Sequence, residues 1–318
     1  MSLWSRIEKF HKDHLEAALR ERQAVKAPLM RSTLHIVTAD DFLSFRPGLQ
    51  VVLERTLRGF FKDEAGRLLM DVLADAARAF TLETPGTFPE IRTHLSDIFP
   101  GEDPVSLSFA ARAHLPLVQV PPAGMWRNSG TPTYVSGETW LGRQLAGEPE
   151  SERRLVLSHL RAFGPASEPD ITAWAGRSLK NAVNNLKPDL VELQGAGGRI
   201  LLDLPRMPLP DADTPAPVRF LPRWDNVLLS HRDRSRVLPE QYRSRVILSG
   251  GRVQPTILVD GFVAGLWDWE QSRSKALLTI KPFERLSKSH RDELDQEGMS
   301  LLRFLADDEV KDMDVQVG

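Results

Sequence analysis

FGPASEPDITAWAGRSLKNAVNNLKPDLVELQGAGGRILLDL, Phe163 to Leu204, carries the clearest folding signals in the chain. Pro169 falls in the first turn of a helix, where a missing N–H costs nothing. Gly176 makes a turn, and Arg177 to Lys187 has the pattern of a second helix. GAGG, Gly195 to Gly198, then lies between two apolar runs and marks the tip of a hairpin. Helix, turn, helix, hairpin is the order of a winged helix. Arg177, Lys180, Asn184 and Lys187 would face out from the second helix, with Arg199 beside the hairpin tip. Such side chains grip phosphate or read base edges. The plainer reading is a surface helix with ordinary charges, and winged helices also serve as protein–protein modules.

The same order occurs upstream. A helix is expected from about Phe88, a turn at Pro100–Gly101, a second helix from Asp103 to His114, the strand LVQV, a loop over Gly124–Thr133, and TYV pairing back. Phe61 to Phe80 has strong amphipathic helical spacing, and residues 3–23 read as a further helix. Downstream, LPDADTPAP, Leu209 to Pro217, has the composition of a linker. Beyond it come short β-rich runs separated by Gly or Pro, with Asp260–Gly261 as a hairpin signal, and then a helical end. The expected fold class is α+β: tandem winged-helix domains, then a small antiparallel β-barrel-like domain and C-terminal helices. The expected boundaries give a first segment 1–57, winged-helix units over 58–145 and 146–208, and a last domain over 209–318.

Composition narrows the function classes. The 318 residues are 41% hydrophobic and 26% charged, ordinary for a globular protein. With no cysteine there is neither disulfide, thiolate metal site nor cysteine nucleophile. No apolar run reaches the roughly 18 residues of a spanning helix, and an amphipathic segment follows Met1 directly, so a cytoplasmic protein with no membrane partner is expected. Net charge is −2, but residues 291–318 hold nine acids against three bases and read as a solvated acidic tail. The first 290 residues are therefore +4, which permits DNA binding without demanding it.

Two further clusters carry possible chemistry. In RSTLHI, strand alternation would put Arg31, Thr33 and His35 on one polar face, with Leu34 and Ile36 pointing into a core. A histidine so placed is either a structural hydrogen-bonder or part of a polar floor. HRDRSR, His231 to Arg236, has Arg232, Arg234 and Arg236 in five positions. It reads equally as a phosphate clamp or as a salt-bridged loop with Asp225 and Asp233. Trp126, Trp174, Trp224, Trp267 and Trp269 read as packing residues. No spacing supports a metal site, and no cofactor is expected.

LWSRIEKF, APLMRSTLHIVTADDF, VQVPPAGMWRNSG, FGPASEPDITAWAG, FLPRWDNVLLSHRDRSR and ILVDGFVAGLWDW together resemble winged-helix DNA-binding proteins whose best-understood members are AlkZ-type DNA glycosylases. The resemblance implies tandem winged helices with residues 1–57 the remnant of the first, a β-barrel-like domain, and a concave surface for double-stranded and damaged DNA; a monomer is expected. In active members it implies hydrolysis of the N-glycosidic bond of alkylated or crosslinked purines. It places the catalytic pair, Gln-x-Gln or Gln-x-Asp, before the segment matching LWSRIEKF. That segment begins at Leu3 here, so no catalytic residue carries over, and His35 is the remaining candidate. The alternative is a protein that binds DNA or regulates without chemistry.

Overall fold

The computed structural model describes residues 1–60, 73, 75–77, 79–80 and 85–318. The expected Phe61–Phe80 helix therefore lies largely outside the described residues. The contacts divide the chain into two compact units, His11–Pro205 and Met1–Phe10 with Arg206–Gly318.

The first unit opens with α1 (Lys12–Arg20), β1 (Ala24–Pro28), β2 (Leu34–Thr38), α2 (Ala39–Phe45) and α3 (Gln50–Phe60). The helix expected over residues 3–23 is thus cut short: Lys9 has φ 55°, His11 is extended, and the helix begins only at Lys12. The Phe88–Val135 reading holds closely. After β3 (Gly86–Thr87), α4 (Phe88–Ile98) starts at a capping box between Thr87 and Glu90. Asp103 caps α5 (Pro104–His114) by accepting from the Ser106 N–H at 2.7 Å. β4 (Leu117–Val120) then pairs antiparallel with β5 (Thr133–Ser136). The strands form one sheet in the order β2-β1-β4-β5-β3.

The strand β2 corrects the sequence reading. Leu34 and Ile36 are 44% and 39% exposed, while His35 and Val37 point inward. Arg31 is not on the strand at all; it sits in a 3-10 turn with φ 56°. β2 is the edge strand of the sheet, and the face bearing Leu34 and Ile36 is left in water.

After α6 (Gly137–Leu141), the unit ends with α7 (Glu148–Phe163), α8 (Glu168–Ala175), α9 (Lys180–Leu186) and the hairpin of β6 (Val191–Gln194) and β7 (Ile200–Asp203). Ser167 and Asp170 form the capping box of α8, and Gly176 ends that helix at φ 84°. One core gathers Phe42, Phe45, Leu49, Leu155, Leu160, Ile171 and Trp174 from α2, α7, α8 and neighbouring turns. A second gathers Leu53, Leu57, Ile91, Leu95 and Leu107 from α3 to α5.

The second unit corrects the barrel expectation. β8 (Arg219–Leu221), β9 (Thr256–Val259), β10 (Phe262–Gln271), β11 (Lys275–Pro282) and β12 (Asp312–Val317) form an open sheet, with α10 (Arg243–Val246) in the loop after β8. Its edges, β8 and β12, do not meet. The turn at Asp260–Gly261, φ 50° and 80°, is the hairpin the sequence announced. The expected helical end is present, with its leucines buried, and its acidic segment is packed down rather than a solvated tail. α11 (Lys288–Leu305) buries Leu294, Leu301, Leu302 and Leu305, and β12 adds to β11 in parallel. The acids of α11 lie mainly on its wet face, which is why composition alone read it as solvated. Trp4 stacks on Phe304 of α11 at 5.9 Å between ring centroids, and Phe10 meets the same ring at a tilt at 6.1 Å.

Candidate nucleic-acid interface

α9 begins three residues later than the spacing predicts, and Arg177 shows why. Its guanidinium donates to the Gly48 carbonyl at 2.6 Å and to Glu152 at 2.5 Å, with Glu148 3.5 Å away. Arg177 thus ties the α8–α9 turn to α7 and the turn after α2. Lys180, Asn184 and Lys187 follow at i, i+4 and i+7, share one face, and are exposed. Lys187 has only a long 3.9 Å approach to Glu192, both half in water, a pairing of little energetic consequence. Among the described residues, the side chains of Lys180 and Asn184 have no hydrogen bond or ion pair. Arg199 is exposed at the end of the hairpin, where Gly197 and Gly198 take φ 71° and 76°.

Arg31 lies against the same turn. Its Nη1 donates to the Trp174 carbonyl at 2.7 Å, near the C-terminus of α8, where a cation is favoured. A side chain at Gly176 would meet the Arg31 backbone at 3.1 Å, so this glycine is fixed by close approach as well as by φ. Thr33 and His35 close the turn locally: Thr33 Oγ1 donates to the Met30 carbonyl at 3.0 Å, and His35 Nε2 is 2.9 Å from that hydroxyl. Nε2 is also 3.3 Å from the Met30 carbonyl, which can only accept, so the ring carries its proton on Nε2. Burial, then repulsion by Arg31, lowers the His35 pKa to about 4, and the imidazole is neutral near pH 7. The expected polar floor is therefore a set of internal ties.

HRDRSR lies in the second unit. His231 is buried; its Nε2 accepts from Arg236 Nη1 at 2.8 Å, and its Nδ1 is 2.8 Å from Ser230 Oγ. Because a guanidinium only donates, the ring proton is on Nδ1 and points at Ser230. Arg232 and Arg236 are exposed. Arg234 is half-buried, its Nε enclosed without a hydrogen-bond partner, and burial and the neighbouring Arg243 lower its pKa. Asp225, one carboxylate expected to neutralise this loop, is taken by Arg6 and Ser2 instead.

Sequence reasoning missed Arg46. It is 2% exposed and donates to Gln50 at 2.6 Å and to the carbonyls of Ala113 and Leu115 at 2.9 and 3.1 Å. Burial lowers its pKa to about 10, so it stays charged. Its flanking sequence, FRPG, gives no sign of this role. Among the described residues, no group of three or more His, Asp or Glu is placed to hold a metal ion. No helix there is long and apolar enough to cross a membrane.

Residues 1–304 match the family model described as DNA glycosylase AlkZ-like. The chain belongs to the AlkZ-like family. No curated protein matches it. Among solved structures, the DNA glycosylase AlkZ of Streptomyces sahachiroi is similar, with a TM-score of 0.76 at 19% identity over 96% of this chain and 85% of that one. The likeness extends the family relation to the fold. The AlkZ-like chain thus carries a mixed α+β architecture and is a relative of DNA glycosylases.

Proposed function

We propose that this AlkZ-like chain binds double-stranded DNA through the exposed face of α9 and the β6–β7 hairpin. The family match over residues 1–304 carries the reading. The site supports it: α7 to α9 followed by a hairpin has the element order of a winged helix, over residues 146–208, and α4, α5, β4 and β5 give a second over 58–145. In such a module the last helix enters the major groove and the hairpin lies against the backbone. Lys180, Asn184, Lys187 and Arg199 are exposed there. On the second unit, Arg232 and Arg236 are exposed and of the type that suits phosphate. Arg31, Thr33, His35, Arg177 and His231 hold the scaffold that presents them. The substrate class is DNA bearing alkylated or crosslinked purines, in a soluble monomer of the cytoplasm.

Cleaving an N-glycosidic bond requires an oriented water and stabilisation of an oxocarbenium-like sugar. The internal ties of His35 favour a second reading, in which this chain binds such DNA without excising the base. The deciding assay is release of 7-methylguanine from methylated duplex by the purified chain. Release above buffer establishes excision, and release equal to buffer rules it out. Binding itself is tested by titrating labelled duplex, and no association at low salt would overturn the proposal.

A further inference from the structure

Trp224 is the one tryptophan read as a packing residue that the second unit leaves mostly in water. It is 55% exposed, whereas Trp267 is buried, donates its indole N–H to the Leu221 carbonyl at 2.9 Å and meets Phe220 edge-on. Its backbone has φ 55°, a left-handed conformation that a bulky side chain rarely takes. The surroundings enforce this conformation. The Trp224 N–H reaches the Val253 carbonyl at 3.4 Å. The next residue, Asp225, is buried; it accepts from the Val227 N–H at 2.9 Å, from Ser2 Oγ at 3.0 Å and from Arg6 Nη1 at 3.1 Å. A strained turn anchored by a buried carboxylate thus holds a large aromatic ring in water. Strain maintained by its surroundings points to use of the side chain rather than to packing.

The charges beside it name the ligand. Arg223 precedes Trp224 and is exposed. Arg252, also exposed, precedes the Val253 whose carbonyl takes the Trp224 amide, and its Nε donates to the Ser249 carbonyl at 3.3 Å across the Gly250–Gly251 turn. Two guanidinium-bearing residues therefore flank the segment that presents the indole. An exposed aromatic ring on a segment bordered by arginines suits a nucleobase on its phosphodiester backbone, because every base has a π-face and every linkage an anion.

We propose that Trp224 is a stacking platform for an unpaired nucleobase, with Arg223 and Arg252 on the adjoining phosphates. This rests on the DNA-binding reading and deepens it, since a fully paired duplex offers no free base face. The test uses the full chain and two labelled duplexes, one fully paired and one with a single-base bulge. The chain should prefer the bulged duplex about tenfold, and Trp224→Ala should bring the ratio of the two affinities close to one. Trp224→Phe, which keeps a ring, should retain most of the preference. Trp224→Gly should lose the preference while keeping or raising the melting temperature, because glycine takes positive φ without strain. An unchanged ratio in Trp224→Ala would overturn the platform and leave duplex binding standing. A melting temperature lowered alike in the Ala and Gly variants would assign the ring to packing and also overturn it. Wild-type chain that binds neither duplex would overturn both proposals.

Discussion

Arg177 and Lys180 stand three residues apart in one turn of chain, and the fold treats them in opposite ways. Arg177, with Arg31 and Arg46, is drawn inward and spends its donors on carbonyls and carboxylates. Lys180, with Asn184 and Lys187, remains on a wet helix face. The cationic residues around the α8–α9 turn are therefore two populations, one tied into the fold and one left exposed. The planar fork of arginine suits the first, because it can satisfy several fixed acceptors at once. The compact ammonium of lysine, with its long mobile stem, suits the second.

The comparison predicts separable effects of mutation. The largest is expected at Arg46. Arg46→Met strands the carbonyls of Ala113 and Leu115 and should cost about 3 kcal/mol in chemical denaturation. A change below about 0.5 kcal/mol would mean that the buried guanidinium does not hold α5. Next comes His35, whose folded pKa is lowered from 6.5 to about 4. Between these values the unfolded chain binds the proton and the folded chain does not. Stability is therefore full above pH 6.5 and declines as pH falls toward 4, by at most about 3 kcal/mol, an upper limit that partial exposure of the ring reduces. His35→Gln should flatten this part of the pH profile, and a parallel decline in the variant would assign it to other groups.

Arg177→Gln should cost about 1–2 kcal/mol, since it loosens the turn after α8 while sparing the α9 surface. The smallest effect on stability is expected for the joint change of Lys180 and Lys187 to Ala, within about 0.5 kcal/mol of wild type. That same variant should bind duplex DNA more weakly, with a salt slope shallower by about 2 in log–log units. If the double variant melts early and binds normally, the two populations have been assigned the wrong way round.

Much of the fold was legible because local signals agreed with tertiary structure. Pro169 and Gly176 bracket α8, Thr87 and Asp103 cap helices that begin where the spacing predicts, and Asp260–Gly261 turns the β9–β10 hairpin. The failures have a common cause: a long-range partner decided the outcome. The start of α9 is delayed where Gly48 and Glu152 capture Arg177. The alternation in RSTLHI is inverted: the Leu34–Ile36 face of β2 is left in water, and Arg31 belongs to the preceding turn. The C-terminal helix and its leucines were legible, but the acids of residues 291–318 hid that the segment is packed down and that β12 joins β11. The candidate interface was read by residue type and spacing, which place Lys180, Asn184 and Lys187 correctly on one face. Residue type cannot reveal that Arg31 and His231 are engaged internally, because that depends on Trp174, Ser230 and Arg236.

The central claim is that the exposed α9 face engages the DNA backbone. Fluorescence anisotropy of a labelled duplex, titrated with wild-type chain and with the Lys180 and Lys187 double alanine variant from about 50 to 200 mM salt, tests it most directly. Affinity should fall linearly in log–log form for wild type and less steeply for the variant. Identical slopes, or a duplex that wild-type chain does not bind even at the lowest salt, would contradict it.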